Sequence, residues 1–259
     1  MKKIIALLLM LAMLVCCFAS CGSDAETTSS EETSSVATKT VLKMGTNAYF
    51  QPYEYYDGEK IIGIDAEIAE AIAEKLGMEL EIVDMQFDSI ITAVNEGSVD
   101  FGMAGMTVNE KRLKEVDFST SYANGVQVII VKEGSAIKTV DDLYADGASQ
   151  KVGVQLGTTG DSYATGDFGD RVTQYSNGNE AVLALNGGEV DCVIIDNEPA
   201  KALVNANEGL KILETSYADE DYAICVKKGN TDLLDKINKA IDELVADGTI
   251  DAIVAKYIK

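Results

Sequence analysis

The sequence predicts an α/β fold made of two similar lobes, each a mostly parallel sheet flanked by helices. Strand-like apolar runs alternate with helical patterns along residues 41–131 and again along residues 151–207, as they do in βαβ units. The segment 94–100 (VNEGSVD) resembles the segment 185–191 (LNGGEVD), and each stands at a helix end, a glycine turn and the start of a strand. We therefore interpret the two segments as corresponding parts of two lobes.

Several helices have recognisable ends. Apolar residues recur every four positions from Ile64, which predicts a helix capped by Asp65. Thr107 and Glu110 have the spacing of a capping box at the start of a short helix. Two amphipathic helices predicted near the C terminus have no third sheet to cover, so we expect them to pack on the first lobe.

These patterns give a domain organisation with two connections between the lobes. Strands near residues 123–128 and 221–226 are expected to act as a hinge. The predicted parts are a signal peptide (1–20), a lipid-anchored disordered tether (21–40), a first lobe in two pieces (41–124 and 223–259) and a second lobe between them (125–222).

The N-terminal segment has the features of an export signal. Two lysines precede a short apolar run that ends in small residues before Cys21, as in a signal peptide; a transmembrane helix is the alternative, but the run is short for one. Residues 18–22 (FASCG) resemble a bacterial lipobox, with Phe18 in place of the usual Leu, so we expect Cys21 to carry lipid. The Ser- and Thr-rich stretch that follows is too polar to fold. The protein is therefore predicted to be extracytoplasmic and lipid-anchored to the cell membrane.

Charge and composition exclude several functions. The 259 residues carry a formal net charge of −22, which disfavours a nucleic-acid groove because phosphate binding needs basic surfaces. The chain has no histidine, so it has no imidazole acid, base or metal ligand. No acidic cluster has the spacing of a Ca²⁺ loop. We expect no catalytic residues, no cofactor and no metal site.

A set of short motifs spans the predicted folded part. They are residues 45–54 (GTNAYFQPYE), 63–65 (GID), 101–107 (FGMAGMT), 117–119 (DFS), 152–160 (VGVQLGTTG) and 195–196 (ID), together with Arg112. In this order and at these spacings, the chain resembles the amino-acid-binding group of periplasmic-type solute-binding proteins, the receptors of ABC importers. The resemblance implies the type II two-lobed periplasmic binding fold, an amino-acid ligand in the cleft, and a membrane permease as partner. We expect a monomer.

The resemblance also assigns residues to the two charged groups of an amino acid. Arg112 would bind the carboxylate, since a guanidinium can do so through two parallel hydrogen bonds, and Thr107 and Thr159 would add hydroxyl or main-chain donors. Asp196 and the Gly105 carbonyl would accept from the ammonium group. The alternatives are a surface salt bridge from Arg112 to an acidic residue one helical turn away, and a helix N-cap for Asp196 that can coexist with binding.

The same motifs assign the pocket for the ligand side chain. Phe50 and Phe87 match positions where aromatic rings flank that side chain, although Phe50 could simply belong to the core. Asn47 and Gln155 match positions that set its polarity. The remaining predicted site residues are Met106 and Thr158.

The choice of amino acid depends on Asn47. Relatives that select cationic amino acids often carry Asp there, so an uncharged amide favours a neutral polar ligand such as glutamine, because a buried cation would lack its partner. Arginine or lysine remains an alternative because Glu54, Asp57 or Asp161 could reach the cleft, and cystine is another. A dehydratase-like enzyme on the same fold and a sensory protein without a transport role are the rival functions.

The two downstream cysteines have apolar neighbours. Cys192 falls in a predicted strand and Cys225 in the predicted hinge, so we expect two buried small hydrophobic residues. A disulfide between them would require proximity that spacing does not reveal.

Overall fold

A computed structural model describes residues 40–214 and 216–258. The predicted signal peptide, the lipidation site Cys21 and nearly all of the predicted tether lie outside these residues. Within them the chain forms fourteen strands and eight α-helices. The strands are β1 (Val41–Thr46), β2 (Tyr49–Phe50), β3 (Glu54–Asp57), β4 (Lys60–Ile62), β5 (Glu79–Asp84), β6 (Phe101–Gly102), β7 (Val116–Phe118), β8 (Ala123–Lys132), β9 (Val152–Gln155), β10 (Val172–Tyr175), β11 (Cys192–Asp196), β12 (Leu210–Ile212), β13 (Ala218–Tyr222) and β14 (Cys225–Lys227). The helices are α1 (Ile64–Lys75), α2 (Ile90–Glu96), α3 (Asp141–Tyr144), α4 (Thr159–Phe168), α5 (Gly178–Gly187), α6 (Asn197–Ala206), α7 (Thr231–Ala246) and α8 (Thr249–Tyr257).

The first lobe is built on a five-stranded sheet with the order β5-β1-β6-β14-β7. Strand β1 pairs in parallel with β5 and β6, whereas β14 runs antiparallel to β6 and β7. Helix α1 packs on β5, and α7 and α8 pack on α1. The expectation that the C-terminal helices return to the first lobe is therefore confirmed.

The second lobe has a six-stranded sheet with the order β10-β9-β11-β8-β12, and β13 pairs with a further part of β8. The β9, β10 and β11 strands are parallel, while β8 is antiparallel to β11, β12 and β13. Helices α4 and α5 pack against the parallel strands. The two-lobed type II periplasmic binding fold is thus confirmed. Its sheets are mixed and not mostly parallel as predicted, because strands next to the connection between the lobes, β14 in the first sheet and β8 in the second, run antiparallel to their neighbours.

The internal repeat corresponds to the same structural unit in both lobes. The C-cap residue of helix α2 is Gly97 and that of helix α5 is Gly188, and both glycines adopt the left-handed conformation with φ of 78°. A glycine suits this position because it has no Cβ to clash with the backbone. Each turn is followed by a central strand of its sheet, β6 or β11.

The connection between the lobes is a pair of antiparallel segments. Ala123 at the start of β8 pairs with Tyr222 at the end of β13, and the chain then enters β14 of the first sheet at Cys225. These segments lie where the hinge strands were predicted. The lobe boundaries after residues 124 and 222 remain predictions.

The predicted side-chain caps are wrong at two helices. The N-cap of α1 is Gly63, and the first N–H groups of the helix, on Ile64 and Asp65, donate to the carbonyls of Pro52 and Tyr53 at 3.0 and 2.9 Å. Asp65 is therefore free to bond elsewhere. Likewise no α-helix follows Thr107; residues 112–114 form one turn of 3₁₀-helix, and the Thr107 hydroxyl bonds to a distant strand.

The two downstream cysteines are free and fully buried. Cys192 packs with Ile129 and Val154 of the second lobe, whereas Cys225 packs with Ile90 of the first. Burial raises the pKa of each thiol to about 12. The interpretation of both as small core residues is confirmed.

Candidate functional site

A narrow cavity lies between the two lobes, at the carboxyl ends of the central parallel strands, where ligands of open α/β sheets bind. Its volume is about 10 Å³, about the room needed by one water molecule, because side chains of the two lobes meet across it. The cavity is lined by Asn47, Phe50, Glu54, Phe87, Ala104, Gly105, Thr107, Arg112, Gln155, Thr158, Thr159 and Asp196.

Ten of the predicted site residues line this cavity. They are Asn47, Phe50, Phe87, Gly105, Thr107, Arg112, Gln155, Thr158, Thr159 and Asp196. Met106 does not line it: its side chain is fully buried in a hydrophobic cluster with Ile90 and Val116. Of the three acidic residues considered as able to reach the cleft, Glu54 lines the cavity, whereas Asp57 and Asp161 do not. Ala104 lines it without having been predicted.

The guanidinium group of Arg112 connects the two lobes. It is 6% exposed and donates from Nη1 to the Thr107 carbonyl at 2.6 Å and from Nη2 to the Gly157 carbonyl at 3.1 Å. The ring of Phe87 lies 5.2 Å from its central carbon, a cation–π distance. Arg112 is therefore a buried cation aimed at the cleft and does not form the surface salt bridge considered as the alternative.

Asp196 carries the opposite charge on the second lobe. It ends β11 and is the N-cap of α6, but its side chain makes no capping bond and instead accepts from the Tyr222 hydroxyl. Burial raises the pKa of Asp196 to about 7, and the charge of Glu220 contributes in the same direction. A cation arriving beside this carboxyl would favour its charged form.

Two amides meet across the cleft. The Asn47 Nδ2 donates to the Met85 carbonyl at 2.8 Å, and the Gln155 Nε2 donates to the Asn47 Oδ1 at 2.9 Å. The Met85 carbonyl can only accept, so it fixes the orientation of Asn47, which in turn fixes that of Gln155. Each N–H₂ group keeps a second hydrogen and each amide oxygen keeps a lone pair, so this pair of side chains can both donate to a ligand and accept from it.

Glu54 is a buried carboxyl group at the cavity wall. It is fully buried, and within the described residues 40–214 and 216–258 neither of its oxygens accepts a hydrogen bond from an N–H or O–H donor. Burial, and next the charge of Asp65, raise the pKa of Glu54 well above its ordinary value.

Asp65 supports the same wall of the cavity. It accepts from the Gly105 N–H at 2.8 Å and from the Tyr122 hydroxyl at 2.7 Å. Burial raises the pKa of Asp65 to about 6, although both hydrogen bonds act in the opposite direction. The bond to Gly105 fixes the turn whose carbonyl was predicted to accept from the ligand.

A carboxylate that was not predicted, Glu220 on β13, lies beside the cavity and is 3% exposed. Its Oε2 accepts from the Thr107 hydroxyl of the first lobe and from the Thr159 hydroxyl of the second, the latter at 2.6 Å. Burial raises the pKa of Glu220, while these two bonds and the charge of Arg112 lower it. No sequence motif contains Glu220. Only its position next to a predicted hinge strand could have suggested that it lies near the site.

Sequence comparison places the chain in a known family. A model of the bacterial extracellular solute-binding proteins, family 3, matches residues 42–259. The chain belongs to this family. As a family 3 solute-binding protein, it has its cavity between the two lobes, flanked by residues of both.

Two curated relatives are similar over nearly their whole length. The arginine-binding extracellular protein ArtP of Bacillus subtilis is 31% identical over 99% of this chain and 98% of its own. The ABC transporter glutamine-binding protein GlnH of the same organism is 31% identical over 100% of this chain and 98% of its own.

A solved structure is similar in fold and sequence. An ancestral arginine-binding protein bound to arginine has a TM-score of 0.79 and 42% identity, covering 85% of this chain and 99% of that one. The same ancestral protein bound to glutamine has a TM-score of 0.80 at the same identity and coverage. The family 3 solute-binding proteins similar to this one therefore include proteins named for arginine and for glutamine.

Two features are absent from the described part of the chain. In residues 40–214 and 216–258, no helix is both long and apolar enough to cross a membrane. Over those same ranges, no group of three or more Cys, Asp or Glu side chains is arranged to hold a metal ion.

Proposed function

We propose that this solute-binding protein captures a free amino acid in the cleft between its lobes and delivers it to the permease of an ABC transporter. One observation carries the proposal: a buried cation, Arg112, and a buried carboxyl group, Asp196, line the same cavity from opposite lobes. An α-amino acid presents the complementary pair of charges. A ligand that bridges them stabilises the closed form through contacts made only on closure.

Each end of the zwitterion has a suitable partner. The carboxylate would bind the guanidinium of Arg112 and the start of helix α4 at Thr159, where the helix dipole favours an anion. The ammonium group would bind Asp196 and the Gly105 carbonyl. Binding, closure and release require no bond to be broken, so we propose a receptor and not an enzyme.

Beyond these anchors, the polar cavity atoms favour a ligand side chain that donates hydrogen bonds. The buried carboxyl group of Glu54 can accept hydrogen bonds, and the amide oxygens of Asn47 and Gln155 can accept as well. Arginine has five N–H donors and no acceptor. We therefore propose a cationic, arginine-like ligand as the first candidate.

Glutamine is the second candidate, and the uncharged Asn47 favours it. Its side-chain N–H₂ would donate to the amide oxygens at this end of the cavity. Its carbonyl would then need a donor, which the neutral, protonated form of Glu54 could supply because burial raises the pKa of that group.

The proposal is tested by thermal unfolding of the chain with each of the twenty amino acids, cystine and citrulline. A ligand at 100 times its dissociation constant adds about 2.7 kcal/mol to the free energy of unfolding. A shift with arginine that is lost with citrulline, its neutral isostere, supports the cationic ligand, and a shift with glutamine supports the second candidate. No shift with any amino acid would contradict the proposed function, and turnover of prephenate or arogenate would support the enzyme instead.

The role of Glu54 has its own variant. Replacing Glu54 with Gln keeps its shape and removes the carboxylate that a bound guanidinium would stabilise, so arginine affinity should fall about ten-fold or more while citrulline affinity changes little. Glu59→Gln, at an exposed position near the same hairpin, is the matched control. Equal losses for arginine and citrulline would show that Glu54 acts through packing alone.

We also propose that a lipid on Cys21 holds the monomeric receptor at the outer face of the cell membrane, near its permease. The lipobox-like residues 18–22 and the polar stretch after them support this. Cys21→Ser should release the protein from the membrane fraction and abolish incorporation of labelled fatty acid. Cys17→Ser is the matched control and should change neither.

A further inference from the structure

Glu220 holds the two lobes together from the hinge. It lies on β13, one of the two connecting segments, and its Oε2 accepts from the hydroxyls of Thr107 in the first lobe and Thr159 in the second. Thr107 lies beside the hinge, where it pairs with Tyr222, and Thr159 starts helix α4 of the second lobe, so one carboxylate connects a loop of the first lobe to a helix of the second. Since hydrogen bonds to a charged acceptor are the stronger ones, the closed arrangement gains stability without a ligand.

The groups that surround Glu220 are those proposed for the ligand carboxylate. Thr107, Thr159 and Arg112 were assigned to that carboxylate from the sequence, and here the first two donate to a carboxylate of the chain itself. Burial lowers the pKa of Arg112, and among the charges that oppose this effect that of Glu220 is the largest. The Glu220 side chain therefore presents to the two hydroxyls the carboxylate that an amino acid would present.

The shared hydroxyls make the two carboxylates alternatives. Each threonine hydroxyl has one hydrogen to donate, and both hydrogens are used on Glu220. Two carboxylates brought to the same pair of hydroxyls would also repel each other at short range. A ligand carboxylate can accept from both hydroxyls once Glu220 has moved away.

We infer that Glu220 is an internal competitor for the carboxylate subsite, which keeps the unliganded lobes together and is displaced when an amino acid binds. The part that concerns displacement rests on the proposed function, because it requires a ligand with a carboxylate. Glu220 thereby lowers the affinity for every ligand that has a carboxylate. Such a ligand binds only if its own contacts outweigh the two hydroxyl bonds that Glu220 loses.

The first test needs no ligand and measures the shape of the unliganded chain. Small-angle scattering is compared for the Cys21→Ser chain and for the same chain with Glu220→Gln, whose amide lacks the charge that holds both hydroxyls. Asp219→Asn, an exposed neighbour on β13, is the matched control. We expect a larger radius of gyration for Glu220→Gln alone. Equal radii for all three proteins would overturn the role of Glu220 in closure.

The second test measures affinity by calorimetry with arginine and with argininamide, which keeps the ammonium group and lacks the carboxylate; glutamine and glutaminamide form a parallel pair. Glu220→Gln should bind the free amino acid about ten-fold more tightly than the parent, a difference of about 1.4 kcal/mol, with no gain for the amide. Asp219→Asn should leave both affinities unchanged.

The outcomes separate the inference from the proposed function. Weaker binding of the amino acid by Glu220→Gln would overturn the competition, since Glu220 would then be a ligand contact. An equal gain in affinity for the acid and the amide would also overturn it, since the effect of Glu220 would then not depend on the ligand carboxylate. If no variant and no parent protein binds an amino acid, the proposed function fails. The scattering comparison still decides whether Glu220 holds the lobes together.

Discussion

Arg112 shows how one side chain can serve both the fold and the site. Its guanidinium donates to main-chain carbonyls of Thr107 and Gly157 in different lobes, and it lines the cavity with Phe87 beneath it. A guanidinium has five donors, so it can hold both carbonyls and still donate to a ligand. A lysine ammonium has three donors on a flexible stem and lacks this planar geometry.

Arg112→Ala should lower amino-acid affinity by at least about 100-fold, because it leaves the ligand carboxylate and two buried carbonyls without this donor. Each buried group left without a hydrogen-bond partner costs about 1–3 kcal/mol. Calorimetry with the ligand found in the thermal screen measures this. Lys111→Ala, the exposed neighbouring cation, is the control and should bind normally. Retained affinity in Arg112→Ala would remove this residue from the site.

The affinity should depend on pH through Asp196. Its pKa is raised to about 7 in the unliganded protein, and a bound ammonium group would stabilise the carboxylate and lower that pKa. Binding should therefore release a proton below pH 7, and affinity should fall up to about ten-fold for each pH unit below it. Calorimetry at pH 5, 6, 7 and 8, in buffers with different ionisation enthalpies, measures both effects. An affinity that does not change between pH 5 and 8 would contradict the role of Asp196.

The sequence could predict those site residues that lie within local motifs. Arg112 and Asp196 have the charges that an amino acid needs, and both belong to the set of motifs. Glu220 could not be predicted as part of the site, because its role comes from two hydroxyls that lie far from it along the chain. The side chain of Met106 enters the core although its neighbours Gly105 and Thr107 line the cavity, because successive residues of a turn point in different directions.

At the scale of elements, the hinge depends on a close approach between its two segments. A Cβ on Gly125 of β8 would lie 2.1 Å from the hydroxyl oxygen of Tyr222, and that hydroxyl donates to Asp196. The glycine thus makes room for the tyrosine that orients a site carboxyl group. Packing in the hinge and chemistry in the cleft are connected through one hydroxyl.

Gly125→Ala should therefore lower the free energy of unfolding by about 1–3 kcal/mol and weaken ligand binding, since Tyr222 must move away from Asp196. Gly166→Ala in α4 is the control: a Cβ there meets no atom within 4 Å, so it should stabilise the helix by about 0.5–1 kcal/mol. Denaturant unfolding and calorimetry measure the two effects. Unchanged binding in Gly125→Ala would show that Asp196 does not need Tyr222.

The order of strands and helices was predictable because hydrophobic periodicity is a local property of the sequence. The helix caps at Asp65 and Thr107 were not predictable. Asp65 and Thr107 had the residue types and spacing of caps, but each is recruited by a distant partner: Asp65 by Gly105 and Tyr122, and Thr107 by Glu220. Tertiary bonds of this kind override a weak local preference.

At the scale of the whole molecule, four buried carboxyl groups near the cleft should make the unliganded protein less stable as pH rises. The pKa values of Glu54, Asp65, Asp196 and Glu220 are all raised in the folded state. The folded state then binds more protons than the unfolded state between about pH 4 and 7, so stability declines over that range.

Thermal unfolding at pH 4.5, 6 and 7.5 measures this decline, and the melting temperature should fall at each step. Asp196→Asn should show a shallower decline, because the amide does not titrate, and the exposed Asp219→Asn should follow the parent protein. A melting temperature that rises between pH 4.5 and 7.5 would contradict the prediction.

The position of β14 has a consequence for how the chain is made. This strand comes from residues 225–227, yet it lies between β6 and β7 within the first sheet. If the chain is exported with its N terminus first, the first sheet cannot be completed until residues 225–227 have also crossed the membrane. The sheet of the second lobe uses a continuous stretch, from β8 to β13, and domains that are contiguous can fold as units while the rest follows. The middle of the chain is therefore expected to fold first, and its two ends then meet to complete the other lobe.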